Sequence, residues 1–254
     1  MRTADWTESV SVLDRVSAVF DAFGEYDEGL GISELARRAG LPKSTVSRIA
    51  ADLVAQRFLD RDGDKLYLGV RLFELGQTVQ YPRELRWLAL PVMRELRDVT
   101  GQTVNLGVLD GRDIVVVAVV PAASALPPPL RVGARLPAHA TAMGKALLAF
   151  SGHDVITRNT AEGFERRTSN TITDASVLVH ELGEVRMRGA AIDREECLVG
   201  VSGVASPVLG PTGAPTAAIS AGGPTAGFLI DAVVPAVRAA AMTLSRRLPA
   251  KATR

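Results

Sequence analysis

The strongest constraint on the fold is a Gly-Leu-Pro break at residues 40–42, which separates two short helical patterns. Ser33 is placed to cap the first helix, Gly40 suits the left-handed residue that ends it, and Pro42 can open the second, where no backbone N–H is needed. Helical spacing predicts an apolar face on each helix, formed by Leu35, Ala36 and Ala39 on the first and by Val46, Ile49, Ala50 and Leu53 on the second. Two helices joined in this way are typical of a helix-turn-helix.

The opposite face of the second helix carries short hydroxyl side chains and two cations. The residues on this face are Lys43, Ser44, Thr45, Ser47 and Arg48, and Ser33 joins them from the start of the first helix. In a helix-turn-helix the N-terminus of the second helix enters the major groove, so we predict that these side chains contact phosphates and base edges of DNA. An ordinary helical hairpin with solvated charges is the alternative, because short motifs of this kind also occur by chance.

The charge of the chain supports DNA binding only locally. Residues 30–57 hold five Lys or Arg against two Asp or Glu, a net charge of +3, whereas residues 1–80 hold ten against thirteen, a net charge of −3. The whole chain is near neutral at +1. Because nucleic-acid affinity depends on neutralising phosphates, the sequence predicts a small, well-placed cationic surface and no long basic arm.

The residues around the motif complete a winged helix-turn-helix domain over residues 9–69. Apolar spacing predicts a helix over 9–24, and two apolar runs around an Asp-Gly turn within 58–69 predict a β-hairpin. Arg61 and Lys65 lie where this hairpin, the wing, can touch phosphate.

A linker helix is predicted over residues 70–82, with a break at Tyr81-Pro82. Its apolar residues and those of the first helix exceed what one winged helix needs to cover, so we expect them to form a contact between two chains. These residues are Val12, Val16, Val19, Leu72, Leu75 and Val79. Packing of both stripes inside one chain is the alternative. A dimer would double the base contacts, and it predicts a palindromic operator.

From residue 83 onward strand patterns become frequent. Strands are predicted over Thr103–Leu109, Ile114–Val120, Leu130–Leu136, Gly189–Asp193, Val199–Val208 and Pro215–Ala221. Helices are predicted up to Gly101 with Pro91 inside, over Ala140–Phe150 and Asp174–Arg188, and from a cap at Thr225 to Leu248, while the Pro127–Pro129 run is predicted as a surface loop. Hairpins with segregated helices predict an α+β domain over residues 83–250, an antiparallel sheet with flanking helices.

Composition and motifs argue against several other functions. The single cysteine, Cys197, allows no intramolecular disulfide and no multi-cysteine zinc site, and we expect it to be unreactive. No apolar run has the length of a membrane span and no signal-peptide core is visible, so a cytoplasmic protein without membrane contact is expected. His139 has no acid or nucleophile in a readable relation to it, Ser202 lacks the Gly-x-Ser-x-Gly motif, and Arg166-Arg167 is expected to be a solvated pair. We therefore expect no catalytic residue, metal or cofactor.

Three segments, in order along nearly the whole chain, carry a family resemblance. The first is Leu41-Pro42-Lys43-Ser44-Thr45-Val46-Ser47-Arg48. The second lies within residues 131–149 and contains His139-Ala140-Thr141-Ala142-Met143-Gly144-Lys145-Ala146. The third joins Ile192-Asp193-Arg194-Glu195-Glu196 to residues 200–208 and 218–224. Together, at these spacings, they resemble the IclR family of bacterial transcriptional regulators.

The resemblance implies a winged helix-turn-helix, a linker helix used in dimer contacts and a GAF-like effector-binding domain. It implies a homodimer or homotetramer that controls catabolic genes in response to a small organic acid or aromatic metabolite, with repression as the expected sign. Carried over by position, the ligand-binding residues are Ala142, Met143, Asp193, Val201, Gly203, Ser220 and Gly222.

The chemistry of these residues suits a small acid, with one reservation. Glycines let backbone N–H groups approach an anion, and Ser220 can donate to a carboxylate. The carboxylate of Asp193 would repel an anion unless it is protonated, paired with a cation or bonded to a ligand hydroxyl. Gly203 and Gly222 stand where relatives can have side chains, so no relative's ligand is transferred. A ligand-independent regulator and, less favoured, a small-molecule enzyme with an accessory DNA-binding module are the alternatives.

Overall fold

The computed structural model describes residues 11–24, 27–123, 130–161 and 163–249. The chain separates into two compact units, Met1–Gln80 and Tyr81–Arg254, which we call the N-terminal and C-terminal units. The predictions for residues 9–10 and for the proline run 127–129 lie outside the described residues. Within the described part of the chain, no helix combines the length and hydrophobicity needed to cross a bilayer.

The N-terminal unit is a winged helix-turn-helix. Its helices are α1 (Val12–Asp21), α2 (Ile32–Ala39), α3 (Lys43–Ala55) and α4 (Val70–Thr78). Its strands are β1 (Leu30–Gly31), β2 (Leu59–Asp62) and β3 (Lys65–Leu68), which form an antiparallel sheet in the order β1-β3-β2. The helices and the hairpin are those that the sequence predicts. Strand β1 is an addition, since a two-residue strand leaves no periodic pattern.

The bend between α2 and α3 is set by Gly40 and by a buried stripe on each helix. Gly40 ends α2 in the left-handed conformation at φ 65°, which residues with a side chain rarely adopt. Leu41 is buried, and its N–H donates to Ala36 O at 3.1 Å. The predicted apolar face of α3 is buried in one cluster with Leu35 of α2, and it consists of Val46, Ile49, Ala50 and Leu53.

The predicted cap at Ser33 is wrong. Helix α2 begins one residue earlier, with Gly31 at the N-cap and no side-chain cap. The cause is β1, because Gly31 pairs with Lys65 of β3 and the chain passes directly from that pairing into the helix. Ser33 is therefore the second helical residue, and it is exposed. Pro42 likewise stands at the N-cap of α3, one position before the helix that it was expected to open.

Part of the apolar surface expected to join two chains is buried within one chain. Val19 is fully buried in the core of the N-terminal unit, and Val16 and Leu72 are half-buried. The large apolar side chains that remain exposed on α1, on α4 and just after α4 are Val12, Leu13, Val70, Phe73, Leu75 and Val79. The exposed surface is therefore concentrated on α4, which has no buried residue.

The C-terminal unit is an α+β domain built on a six-stranded antiparallel sheet, as predicted. Its strands are β4 (Thr103–Asp110), β5 (Asp113–Val120), β6 (Arg135–Pro137), β7 (Ala191–Arg194), β8 (Val201–Leu209) and β9 (Pro215–Pro224), in the order β6-β5-β4-β9-β8-β7. Its helices are α5 (Gln80–Thr100), α6 (Ala142–Phe150), α7 (His153–Thr160), α8 (Ala175–Arg188) and α9 (Ile230–Arg247).

Strand alternation divides the residues of the sheet between two helical layers. On β9, Ala217, Ile219 and Ala221 lie in one apolar cluster with α5 and α9. Ala218, between them, belongs to the cluster formed with α6 and α8. By the same alternation, Ser220 lies on the face that α6 covers. Thr103 and Asn105 of β4, which alternate with Val104 and Leu106 of the α5–α9 cluster, lie on the same α6 side of the sheet.

The helical break expected at Tyr81-Pro82 is misplaced. The chain leaves the helical conformation at Val79 (φ −70°, ψ 101°), and α5 begins at the next residue. Pro82 is tolerated because it lies in the first turn of α5, where its missing N–H would have no helical acceptor. Pro91 lies inside α5 and does not end it, and Gly101 follows the helix with φ 68°.

Two further predictions for the C-terminal unit need correction, and one helix was not predicted. The strand expected over Leu130–Leu136 shortens to β6, because the chain turns at Gly133 (φ 87°) and the regular register with β5 covers residues 135–137. Thr225 does not cap the final helix, and its hydroxyl lies 2.9 Å from that of Ser202 instead. Helix α7 is absent from the sequence predictions, because few of its eight residues are apolar.

Candidate functional site

The N-terminal end of α3 presents most of the residues predicted to contact DNA. Those that are exposed there are Lys43, Ser44, Ser47 and Arg48. Thr45 is half-buried, because it lies one turn before Ile49 and so at the edge of the buried stripe. The exposed face thus combines two cations with two short hydroxyl groups, which are suited to phosphates and base edges.

The backbone at this end of α3 can also bind an anion. Pro42 supplies no side-chain cap, and the Val46 N–H is the first to reach back to Pro42 O, at 3.0 Å. The three preceding N–H groups of residues 43–45 have no acceptor within the helix. Together with the positive end of the helix dipole, they suit a phosphate group.

The cations of α2 are held in ion pairs within the unit. Arg37 and Arg38 both donate to Glu34, at 2.6–2.8 Å, and Arg38 also donates to Asp27 at 2.8 Å. The hydrogen bonds from Arg37 and then Arg38 lower the pKa of Glu34 to about 2. The net charge of +3 over residues 30–57 therefore includes cations that α2 already uses, and the cations exposed on α3 are the better candidates for DNA.

The hairpin formed by β2 and β3 suits phosphate less well than predicted. Arg61 and Lys65 are both exposed on it, but Lys65 Nζ donates to Glu28 O at 2.9 Å. Three aspartates, at positions 60, 62 and 64, accompany these two cations, so residues 59–68 carry a net charge of −1. A phosphate contact by either cation would be made against repulsion from these acids.

A cavity of about 220 Å³ lies between α6 and the sheet of the C-terminal unit. Sites for drug-sized ligands have volumes of roughly 300–1,000 Å³, so this smaller cavity suits a ligand of metabolite size. The lining residues are Thr103, Asn105, Leu130, Leu136, Thr141, Ala142, Met143, Arg167, Asp193, Cys197, Leu198, Val201, Ser202, Gly203, Ser220, Ala221 and Gly222. Apolar side chains and a few polar groups thus surround one space.

The structure brings together all seven residues that the sequence nominates for ligand binding. They come from four elements, namely α6 (Ala142, Met143), β7 (Asp193), β8 (Val201, Gly203) and β9 (Ser220, Gly222). Residues far apart in sequence meet here because β7, β8 and β9 are neighbours in the sheet and α6 covers their shared face.

The floor of the cavity is a row of residues paired across four neighbouring strands. From β4 to β7 the row consists of Thr103, Gly222, Gly203 and Asp193. Two of its members lack a side chain, so part of the floor is backbone alone. A Cβ added at Gly203 would have Ala221 O, at 3.6 Å, as its nearest neighbour. The cavity therefore keeps a space that most side chains at this position would fill.

Helix α6 brings its first backbone N–H groups to the cavity wall. Thr141 caps the helix, its hydroxyl accepting from the Gly144 N–H at 3.1 Å. Gly144 is required here, since a Cβ would overlap Ala138 O. The N–H groups of Ala142 and Met143 precede the first helical hydrogen bond and have no acceptor within the helix. The positive end of the dipole therefore favours an anionic group at this wall.

Two charged side chains line the cavity. Burial raises the pKa of Asp193 to about 7, although the Glu196 N–H donates to Asp193 Oδ1 at 2.7 Å and favours the carboxylate. A carboxyl that titrates near neutrality repels an anion less than an ordinary aspartate does. Arg167 stands at the cavity with the opposite charge, and its guanidinium lies 3.2 Å from Glu165.

Sequence reasoning missed several lining residues. Thr103 and Asn105 alternate with apolar residues along β4, and this alternation is the signal that identifies them as inward-facing polar positions. Asn105 is buried, and its Oδ1 has no hydrogen-bond partner among the described residues. Arg167 was expected to be solvated, and it stands on a loop where no periodic pattern could place it at a cavity.

His139 is engaged in packing, and Cys197 lines the cavity. His139 stacks on Phe164 with ring centroids 4.7 Å apart, its Nε2 lies 3.0 Å from Glu165 O, and burial lowers its pKa. Burial raises the pKa of the Cys197 thiol to about 11, so little thiolate forms at neutral pH. Among the residues that the structure describes, no group of His, Cys, Asp or Glu is placed to hold a metal ion.

A winged helix-turn-helix in one unit and a cavity of metabolite size in the other define a class of protein, the transcriptional regulators that carry a small-molecule domain. Known families match both units of the chain. Residues 12–63 match the IclR helix-turn-helix domain, and residues 77–246 match the C-terminal domain of the bacterial transcriptional regulator IclR. The chain belongs to the IclR family of transcriptional regulators.

Individual relatives are similar over most of the chain. The HTH-type transcriptional regulator BhcR of Paracoccus denitrificans (strain Pd 1222) is 31% identical over 245 residues, which cover 92% of this chain and 88% of BhcR. The transcriptional repressor IclR of Escherichia coli (strain K12) is 30% identical over 236 residues, 91% of this chain and 86% of the repressor. A crystal structure of an IclR homologue complexed with 4-hydroxybenzoate, from Microbacterium hydrocarbonoxydans, has a TM-score of 0.83 at 28% identity, covering 93% of this chain and 98% of the homologue.

Proposed function

We propose that this regulator binds a small organic acid or aromatic metabolite in the cavity beneath α6, and that occupancy changes its affinity for an operator. The observation that carries the proposal is the cavity itself, in which seven residues nominated from the sequence surround one space. Repression of catabolic genes is the sign we favour, since one relative is a repressor by name. A structural neighbour holds 4-hydroxybenzoate, which makes aromatic acids the first ligands to test.

The chemistry of the walls supports an acid with an apolar body. Leu130, Leu136 and Met143 offer apolar surface, while the hydroxyl of Ser220 and the first N–H groups of α6 offer hydrogen-bond donors. Arg167 adds a positive charge at the same space. A carboxylate directed towards these donors would leave its ring or chain against the apolar wall.

The test is a calorimetric titration of the full chain with benzoate and 4-hydroxybenzoate, together with fluorescence anisotropy of a labelled operator. We expect saturable binding of at least one acid and a change in operator affinity at saturation. Gly203→Val locates the site, because Cβ fits at this position and the larger side chain projects into the cavity. A Gly203→Val protein that binds the acids as tightly as the parent would place the site elsewhere.

On the DNA side, we propose that α3 occupies the major groove, with Lys43, Ser44, Ser47 and Arg48 exposed on it. The exposed hydroxyls and cations at its N-terminus suit phosphates and base edges. Thr45 contributes from the edge of the core, and Arg61 and Lys65 of the wing and Ser33 of α2 are peripheral. The protein works in the cytoplasm, where bacterial promoters are.

Assembly follows from the exposed surface of α4. Val70, Phe73 and Leu75 are 46–66% exposed, an apolar surface that a helix does not keep in water without a partner. We infer a homodimer formed through α4, to which the exposed Val12 and Leu13 of α1 can add apolar surface, and a palindromic operator. A homotetramer is the larger alternative.

Two other functions are separated from this one by direct measurements. A ligand-independent regulator would bind the operator equally with and without every acid tested. An enzyme with an accessory DNA-binding module would need a nucleophile and base in contact, and the side chains at the cavity are better suited to holding a ligand than to reacting with it. We therefore propose a regulator without catalytic activity, metal or cofactor.

A further inference from the structure

A buried ion pair connects two walls of the cavity behind the lining residues. Lys145 Nζ lies 2.6 Å from Glu196 Oε1 and 3.5 Å from Glu181 Oε1. The Lys145 side chain is 1% exposed, on a helix that is otherwise packed in an apolar cluster. Lys145 thus ties α6 to the loop after β7 and to α8, and neither it nor its two partners lines the cavity.

Stability alone is a poor explanation for this pair. Replacing a buried ion pair with well-packed apolar residues is often neutral or stabilising, because both charges lose their hydration on burial. The pair is also incomplete, since Glu196 Oε2 is buried and has no hydrogen-bond partner in the described part of the chain. The geometry of the pair therefore suits a role in holding the loop after β7 in place against α6.

The loop that holds Glu196 has one unfavourable backbone conformation and is fixed by several contacts. Glu195 has φ 60°, a left-handed conformation that residues other than glycine adopt infrequently. Thr168 donates to Glu195 O at 2.6 Å and Thr171 donates to Glu196 O at 2.7 Å. The Gly200 N–H donates to Glu195 Oε2 at 2.8 Å. The loop is held by partners on both sides, and the ion pair with Lys145 is the bond that reaches α6.

The same loop forms one wall of the cavity. Asp193 at its start accepts from the Glu196 N–H at 2.7 Å, and Cys197 and Leu198 follow as lining residues. The facing wall begins at Ala142. Lys145 follows three residues later, so the two side chains lie near the same side of α6. A shift of Glu196 relative to Lys145 therefore changes the width of the cavity.

We propose that the Lys145–Glu196 ion pair sets the spacing between these two walls, so that Lys145 and Glu196 are positioning residues for the effector. The expected effect of the ion pair on ligand binding rests on the proposed function, whereas its effect on the loop is measurable without any ligand.

The test uses the full chain carrying Lys145→Met and Glu196→Met together, because removing one partner alone would leave an unpaired buried charge. Glu181→Gln is the matched control, since it alters only the longer 3.5 Å contact of Lys145. Benzoate affinity is measured by calorimetry, and hydrogen exchange reports the amides of Glu196 and Gly200. We expect the double variant to fold, to bind benzoate at least about tenfold more weakly and to exchange faster at both amides. We expect Glu181→Gln to stay within about twofold of the parent.

The outcomes separate the two proposals. A folded double variant with the parent's benzoate affinity and exchange rates would overturn the positioning role. If the parent itself binds no acid while exchange still accelerates in the double variant, the proposed function fails and the control of the loop by Lys145 stands. Should the double variant not fold, Lys145→Met alone decides the question, because it removes the bond from α6 to Glu196, and burial raises the pKa of Glu196, so that the remaining carboxyl can take up a proton. Parental binding and exchange in that variant would also refute the role.

Discussion

Two buried serines on neighbouring strands allow ligand binding to be separated from folding. Ser220 on β9 lines the cavity, is 6% exposed, and its hydroxyl forms no hydrogen bond with the described residues. Ser206 on β8 is 5% exposed, lies outside the cavity and donates to Gly189 O at 2.7 Å. The same substitution, Ser→Ala, should therefore weaken ligand binding at position 220 and lower the stability of the fold at position 206.

For Ser220→Ala, the loss is confined to the ligand. A hydrogen bond to a charged group contributes roughly 1.5–3 kcal/mol, so the dissociation constant of a bound carboxylate should rise about 10- to 150-fold. The free energy of unfolding should change by no more than about 0.5 kcal/mol, because the Ser220 hydroxyl has no hydrogen bond to lose among the described residues.

For Ser206→Ala, the loss is confined to the fold. Removing its hydrogen bond and leaving the Gly189 carbonyl without this donor should cost about 1–2 kcal/mol, or a few degrees in the unfolding temperature of a domain of this size. Acid binding should stay within about twofold of the parent, since Ser206 does not line the cavity.

Calorimetry with benzoate or 4-hydroxybenzoate and urea unfolding measure the two effects. Equal affinity of Ser220→Ala and the parent would refute the assignment of Ser220 to the ligand. A similar loss of affinity in Ser206→Ala would show that the effect passes through the sheet and not through a direct contact.

Three further predictions concern DNA, pH and assembly. Arg48→Ala should cost roughly 1–3 kcal/mol in operator binding and relax specificity at one base pair, as measured by anisotropy at fixed salt, and an unchanged affinity would contradict the placement of α3. Because the pKa of Asp193 rises from 3.8 to about 7 on folding, the folded state holds the proton that the unfolded state loses, so Asp193 contributes a fall in the free energy of unfolding as the pH rises from about 4 to 7. Asp193→Asn should flatten this dependence in urea unfolding at a series of pH values, and parallel curves for the two proteins would count against it. Phe73→Glu on α4 should convert the expected dimer into a monomer in light scattering, and a dimer that persists would move the contact elsewhere.

Local patterns in the sequence were sufficient for the helix-turn-helix and the antiparallel sheet. Gly40 and the buried stripe of α3 are encoded within a few residues, so periodicity and turn chemistry find them. The cap at Ser33 failed for a tertiary reason, because pairing of Gly31 with Lys65 determines where α2 begins. Local propensity carries no information about a partner 34 residues away.

The cavity was predictable in part. Its seven expected residues came from a family resemblance, and the pairing of Gly203 with Gly222 explains why those on neighbouring strands lie together. Strand alternation could have added Thr103 and Asn105. Arg167 could not be found in this way, because its position depends on how an irregular loop folds back onto the sheet.

The bare backbone in the cavity floor has a consequence for how such regulators diverge. Gly203 and Gly222 lie in strands whose backbone hydrogen bonds are made to neighbouring strands whatever the side chain. Gly203 has room for a Cβ, whereas at Gly222 a Cβ would lie 3.1 Å from Ser202 O. A single codon change at Gly203 can therefore reshape the space offered to a metabolite while the sheet and the DNA-binding unit stay as they are. Descendants of such a gene can come to answer new chemical signals and still read the same promoter.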